Sequence, residues 1–339
     1  MTLAANQEPA PLVPVTVQRY PLFNRLARLR SAVMFGLCVA FTILILAILV
    51  AVTGYLVSIG LSSLHWSFFT KLPIPANMPG APGGMANGVL GTIMLIIMAS
   101  VIGIPLGVLA GIYLSEYSSN SWLGTPTRFV ADVLTGVPSI VVGILGYELL
   151  VAPISCWDGR IHLFHHAWRL LPLNLLPNGS YNGYAGAASL SFIMIPIVAR
   201  TTEEMLRLVP NSYREASIAL GATKARTILR VVLPAATGSV VTGVMLAIAR
   251  VAGETAPLLF TALGSRFMPL VFHSRFPWVD AQVNQPFPSL TVQIFTYSTG
   301  PNPDEQHLAW AGIIVLIALI FILNLAVRFV TRTNQVLSH

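Results

Sequence analysis

Residues 206–235 read LRLVPNSYREASIALGATKARTILRVVLPA and form a polar stretch between two long apolar runs. Tyr213 to Leu220 mixes apolar and charged positions at helical spacing, which predicts a short amphipathic helix. Gly221 permits a sharp turn, and Lys224 to Val232 is expected to form a second short helix that ends at Pro234. A helix–turn–helix outside a membrane, with several basic residues, fits either a lipid surface or a groove on another protein.

The apolar runs on both sides of this stretch are long enough to cross a bilayer. A hydrocarbon core about 30 Å thick needs about 20 apolar residues per helix. Only 9% of the 339 residues are charged, too few to cover a water-soluble fold. Because backbone groups cannot stay unpaired in lipid, helices are the expected spanning element. The sequence predicts an all-α polytopic membrane protein with six spans, at 32–59, 88–115, 129–152, 185–205, 236–262 and 308–330.

The positive charges set the expected orientation, because cytoplasmic segments are enriched in Lys and Arg. With both termini on the cytoplasmic side, the inner segments hold 12 of the 19 Lys and Arg residues and the outer loops hold 5. We therefore expect both termini to be cytoplasmic. The net charge of +7 reflects this bias and gives no reason to expect nucleic-acid binding. The predicted organisation is an inner tail, a peripheral first span, an outer loop, a core of spans 2–5, an outer segment, and a last span with its inner tail, at 1–31, 32–59, 60–87, 88–262, 263–307 and 308–339.

Spans 2 to 5 each contain an internal proline, whereas spans 1 and 6 contain none. Proline removes a helix hydrogen bond and kinks the axis, and such breaks persist in membranes where protein or a cavity satisfies the freed carbonyl. We interpret spans 2–5 as a central bundle around a pathway; the alternative is that prolines are simply common in membrane helices. The predicted helix breaks lie at Pro105, Pro138, Pro196 and Pro257.

Three other patterns give local predictions. Small residues recur at every fourth position of span 2 from Ala99 to Ser115, which predicts close approach of another helix. Leu290–Tyr297 is expected to form a short strand. The outer stretch around His162, His165 and His166 has no acidic residue or cysteine immediately beside the histidines, so we expect an interfacial helix and no metal site.

Two arginines lie within predicted spans, Arg200 in span 4 and Arg250 in span 5. A charge at mid-bilayer costs at least about 2.5–3.5 kcal/mol, so a partner or a function must offset that cost. In the structural interpretation Arg250 pairs with Glu254, one turn on, and Arg200 pairs with Glu203 or Glu204. In the functional interpretation both arginines line the path of an oxyanion, whose oxygens match the paired donors of a guanidinium.

The spacing within 206–235 resembles the EAA loop of ABC importer permeases. That pattern is Glu-Ala-Ala, three residues, Gly, nine residues, Ile, one residue and Leu-Pro; here Ser217 replaces the third Ala and Val231 replaces Ile. The resemblance implies a coupling helix that fits a cleft on a separate ATPase subunit. The residues that carry this role over are Glu215, Ala216, Gly221, Leu233 and Pro234.

The lysines exclude one route to ATP binding by this chain. A P-loop needs Gly-Lys followed by Ser or Thr, but both lysines, Lys71 and Lys224, follow threonine. We therefore expect a non-catalytic subunit that binds no cofactor, with ATP and Mg held by the partner ATPase.

Four further runs resemble the PstA family of phosphate-importer permeases, from about residue 88 to the C-terminus. They are GIPLGVLAGIYLSEY (103–117), DVLTGVPSIVVG (132–143), IPIVARTTEEML (195–206) and AIARVAGETAPLLFTALG (247–264). The resemblance implies a type I ABC importer permease with a MetI-like core in a bacterial inner membrane, its outer segments periplasmic. The implied partners are a PstC-like permease, a PstB-like ATPase dimer and a PstS-like binding protein that delivers phosphate.

The same resemblance implies that Arg200, Arg250, Glu254 and Thr255 lie on the substrate pathway. Asp132, by contrast, is expected to pair with Arg128, one turn earlier on the same helix. Two other functions stay open. Permeases for molybdate, sulfate or phosphonate share the loop, and an ion-coupled secondary transporter would need no ATPase.

Overall fold

The computed structural model describes residues 21–74, 83–118, 122–152, 180–272 and 279–336. His162, His165 and His166 lie outside these ranges. The chain divides into two units, one that ends at Tyr55 and one that begins at Leu56. Helix α1 (Pro21–Ser62) supplies the described part of the first unit and continues into the second. The peripheral placement of span 1 stays a prediction.

The described part of the second unit is almost entirely helical. After α1 its helices are α2 (Ser67–Thr70), α3 (Ala86–Ile112), α4 (Gly124–Gly136), α5 (Ser139–Leu150), α6 (Gly183–Arg207), α7 (Asn211–Ala219), α8 (Lys224–Thr227), α9 (Leu233–Ala252), α10 (Ala256–Thr261), α11 (Leu290–Thr299) and α12 (Pro303–Val336). Two π-helical turns, π1 (Tyr113–Tyr117) and π2 (Ile228–Val232), follow α3 and precede α9. Strands β1 (Leu270–Phe272) and β2 (Val279–Ala281) pair antiparallel, with Leu270 opposite Ala281.

Five helical stretches are long and apolar enough to cross a membrane. They are Ala27–Ser62, Ala86–Tyr117, Gly183–Arg207, Lys224–Ala252 and Pro303–Phe329. Helices α4 and α5 make a sixth span if they are counted together, although they are bent by 105° where Val137 and Pro138 separate them. The described residues therefore match the predicted all-α protein with six spans, the third of them broken.

The prolines do not all interrupt their helices. Pro138 lies at the bend between α4 and α5, and Pro257 lies in the first turn of α10, just after α9 has ended. At Pro105 and Pro196, by contrast, α3 and α6 continue, so the breaks predicted there are not present. A proline removes only one backbone hydrogen bond, and α3 and α6 pack against each other along much of their length.

The small residues of α3 form its contact with α6. Gly107 lies against Val198, and Gly111 lies against Thr202. Met194 and Val198 are fully buried at this contact. Every fourth residue lies on the same face of a helix, so the predicted ridge is the surface on which α6 approaches the α3 backbone.

Replacing Gly107 by alanine is expected to lower the free energy of unfolding by about 1–3 kcal/mol, as for other overpacked cores. A Cβ at this position would lie 2.6 Å from the Cβ of Val198, so the two helices would have to separate. Gly36→Ala is the matched control, because a Cβ there meets nothing within 4 Å. Thermal unfolding in detergent measures the difference, and equal midpoints for the two variants would contradict this packing.

The run Leu290–Tyr297, predicted as a strand, is helical and belongs to α11. The helix begins after Ser289, whose Oγ accepts a hydrogen bond from a backbone N–H of the first turn (3.4 Å). Leu290, Ile294 and Tyr297 lie at helical spacing and pack in one apolar cluster. The strand prediction was wrong because tertiary burial overrides the local preference of β-branched and aromatic residues.

Candidate functional site

The loop formed by residues 206–235 contains a short helix and a sharp turn. Helix α7 is followed by Gly221, whose φ is +84°, in the left-handed region that L-residues rarely adopt. The turn expected at Gly221 is therefore present. Leu220, immediately before it, is 89% exposed, and Tyr213 and Ile218 of α7 are also exposed. All three apolar side chains lie outside the helices that are long enough to cross a membrane, which makes this segment a candidate interaction surface.

The second helix of the loop does not end at Pro234. Thr223 caps its start, with Oγ1 accepting a hydrogen bond from the Arg226 backbone N–H (3.4 Å). From Lys224 the chain runs through α8 and π2 directly into α9, so span 5 begins at Lys224 and not at residue 236. Pro234 lies in the first turn of α9, where the missing N–H and the fixed φ of proline are tolerated. Leu233 begins the same turn.

A buried carboxylate, Glu203 of α6, joins three arginines near the end of span 4. Its oxygens lie 2.6 Å from Arg128 Nε, 3.0 Å from Arg200 Nη1 and 2.7 Å from Arg207 Nη2. The Glu203 side chain is 1% exposed. A buried charge is tolerated only when it is paired and hydrogen-bonded, and Glu203 meets that condition through arginines from two helices.

Asp132 of α4 pairs with Arg200. The prediction that Asp132 pairs with Arg128 was wrong. The distance from Arg200 Nε to Asp132 Oδ1 is 3.1 Å. Arg128 turns instead towards Glu203 and donates further hydrogen bonds to Leu114 O (3.0 Å) and Ser118 Oγ (2.7 Å). A pair one turn apart on a helix is worth only a few tenths of a kcal/mol, whereas the buried Glu203 requires cationic donors.

Arg250 lies two residues before the end of α9, where span 5 is interrupted. Its Nη2 is 3.6 Å from Glu254 Oε1, so the predicted pair exists but is long. The Arg250 side chain is 54% exposed, which leaves donors free for another partner. The carbonyl of Glu254, freed by the interruption, accepts a hydrogen bond from Thr291 Oγ1 (3.1 Å). Thr255 follows Glu254 and lies immediately before α10.

The sequence of this chain matches the family described as the binding-protein-dependent transport system inner membrane component, over residues 103–335. It is 40% identical over 271 residues to the phosphate transport system permease protein PstA of Yersinia pestis, covering 80% of this chain and 79% of the relative. It is 37% identical over 284 residues to PstA of Haemophilus influenzae, covering 80% of this chain and 88% of the relative. This chain belongs to the PstA permease family.

Solved structures agree with the fold expected of a PstA-family chain. The bacterial ABC transporter involved in alginate import is similar with a TM-score of 0.59 at 12% identity, covering 90% of this chain and 99% of that chain. The inward-facing MetNI methionine ABC transporter is similar with a TM-score of 0.51 at 18% identity, covering 74% and 95%. The all-α, type I ABC importer permease fold with a MetI-like core is confirmed, and the protein is an integral membrane protein.

In this PstA-family chain, Arg200 and Arg250, which sequence analysis placed together on a pathway, take part in different ion pairs. Arg200 belongs to the Glu203 cluster, and Arg250 belongs to a second ion pair at the interruption of span 5. Sequence analysis missed the role of Arg207 and the pair formed by Arg214 and Glu116. The spacing of Arg200, Glu203 and Arg207 on one helix face could have indicated the ion pair of Arg207.

Proposed function

We propose that this chain is the membrane-spanning permease subunit of an ATP-driven importer of inorganic phosphate. The observation that carries the proposal is the name shared by its relatives: phosphate transport system permease proteins at 36–40% identity cover 79–83% of this chain. The subunit forms half of the translocation pathway, with a PstC-like permease as the other half. Its place is the bacterial inner membrane, with both termini cytoplasmic.

Arg250, Glu254 and Thr255 are the residues we assign to the pathway at the interruption of span 5. The half-exposed guanidinium of Arg250, with its long contact to Glu254, supports this assignment, because an oxyanion can bind its free donors in pairs. We assign Arg200 to the cytoplasmic end of the pathway. The Asp132 carboxylate that pairs with it is half exposed. A passing anion therefore takes the place of this carboxylate on the Arg200 guanidinium.

The exposed face of α7 and Leu220 docks on a PstB-like ATPase dimer, which holds ATP and Mg. Glu215 and Ala216 lie on exposed positions of α7, and Gly221 shapes the turn that follows. This chain binds no cofactor and carries out no chemistry. A PstS-like binding protein delivers phosphate at the outer side.

Replacing Leu220 by aspartate is expected to lower co-purification of the ATPase by about tenfold, since loss of one anchoring side chain often costs more than 1 kcal/mol. The substitution places a charge in an apolar contact. Leu208→Asp is the matched control, because Leu208 is an exposed leucine at the C-terminal end of α6, before α7 begins. Quantitative pull-down of the ATPase measures the effect, and equal recovery with both variants would count against docking at this face.

The proposal is tested by reconstituting this chain with its three partners in liposomes and measuring phosphate entry. We expect uptake that needs both ATP and the binding protein and that excess molybdate, sulfate or phosphonate does not inhibit. Inhibition by one of these anions would assign the permease to that anion. Full-rate uptake without the ATPase would instead make this a secondary transporter.

A further inference from the structure

One arginine of the coupling helix α7 pairs with the inner end of span 2. The Nη2 of Arg214 lies 2.7 Å from Glu116 Oε1, and its Nε lies 3.3 Å from both carboxylate oxygens. Glu116 belongs to π1. The side chains are 17% and 7% exposed. A forked, charge-assisted contact that is largely shielded from water is both strong and geometrically specific.

The same guanidinium also binds the end of span 4. It donates to Leu206 O (2.8 Å), in the last turn of α6, and to Val209 O (2.6 Å), just beyond the end of that helix. Carbonyls at this end of a helix carry the negative end of the helix dipole and therefore attract a cationic donor. Arg214 therefore joins three elements: α7, the end of span 2 and the end of span 4.

Helix α7 is otherwise held weakly by its own chain. In the described part of the protein no residue of α7 is buried, and turns flank the helix on both sides. A second polar contact links Ser217 Oγ to Thr227 Oγ1 of α8 (2.9 Å). Packed interiors transmit displacement because they are nearly incompressible. Since no residue of α7 is buried, we assign the transmission of a displacement from α7 to the spans to these polar contacts.

The π-helical turns lie at the points where α7 is attached. Glu116 is in π1, and Lys224 Nζ lies 4.7 Å above the ring of Tyr117, also in π1. On the other side α8 leads into π2. Single π-helical turns occur frequently at functional sites in helices. Here they lie where spans 2 and 5 meet the coupling loop.

We infer that Arg214 and Glu116 are positioning residues that form a rigid joint between the coupling helix and spans 2 and 4. The inference rests on the proposed function. With the joint intact, a displacement of α7 by the ATPase carries the inner ends of both spans with it. Without the joint, α7 turns about its flanking loops, and ATP is hydrolysed without moving the anion.

The test measures ATP hydrolysis and phosphate uptake in the same liposomes containing the complete complex. For Arg214→Gln and Glu116→Gln we expect ATP hydrolysis to persist, while the ATP consumed per phosphate transported rises about fivefold or more. A change of this size lies within the range of coupling between side chains in direct contact. The double variant should be no worse than either single variant. Arg214→Lys keeps the charge without the fork and should give an intermediate ratio.

The control is Arg226→Gln, an exposed basic residue of the same loop, which should keep the wild-type ratio. Hydrolysis and uptake that fall in parallel in the Gln variants would overturn the inference, because that pattern indicates a structural role alone. An unchanged ratio would also overturn it. If Arg214→Gln fails to assemble, Glu116→Gln and Arg214→Lys decide. A wild-type complex without ATP-dependent phosphate uptake would refute the proposed function instead.

Discussion

Replacing Glu203 by glutamine is expected to lower the free energy of unfolding by about 3 kcal/mol, at the lower end of the cost of breaking a buried ion pair. The variant leaves Arg128, Arg200 and Arg207 without their shared carboxylate. The cost is at the lower end because Arg207 is half exposed and water can solvate it. Thermal unfolding of the purified protein in detergent measures the change.

Glu204 supplies a control on the same helix. Its Oε1 is 4.0 Å from Arg200 Nε, and its side chain is largely exposed. Glu204→Gln should therefore change stability by less than about 1 kcal/mol, as expected for exposed pairs. If Glu203→Gln unfolds at the same temperature as Glu204→Gln, the buried cluster does not hold α4 and α6 together as its geometry indicates.

Replacing Arg250 by glutamine is expected to lower phosphate uptake by about 10- to 100-fold, because hydrogen bonds to charged groups are worth about 1.5–3 kcal/mol. The variant removes the guanidinium that we assign to the pathway but leaves the fold intact, since the side chain is more than half exposed and its ion pair with Glu254 is long. Uptake per assembled complex in liposomes is the measurement, with complex recovery checked in parallel.

Two further variants serve as controls for the effect of Arg250→Gln on phosphate uptake. Arg328→Gln removes an exposed arginine of α12 and should leave uptake unchanged. Arg250→Lys keeps a positive charge but loses the paired donors, so its uptake should fall between wild type and Arg250→Gln. Full uptake by Arg250→Gln would remove this residue from the pathway.

The local hydropathy pattern was sufficient to predict the membrane-spanning helices, because a bilayer leaves the backbone few secondary structures to adopt. An apolar run of about 20 residues has almost no alternative to a helix in lipid, and α3, α6 and α12 lie where the sequence predicts them. The turn at Gly221 and the small-residue face of α3 were equally local signals. Where local preference was ambiguous, as in α11, burial decided between strand and helix.

Composition, hydropathy and spacing in this sequence were therefore enough to predict six spans and a short amphipathic helix after span 4, and the resemblance of its motifs indicated the permease family. Sequence spacing indicated the local pairs of Arg250 with Glu254 and of Arg200 with Glu203, which the structure contains. Only the tertiary structure decided which charges pair over long range. Arg128 and Glu203 are 75 residues apart, Arg200 and Asp132 are 68 apart, and Arg214 and Glu116 are 98 apart. The physical reason is that an ion pair depends on the distance between side chains and on their burial, and both are set by how α3, α4, α6 and α7 pack and not by their spacing along the chain.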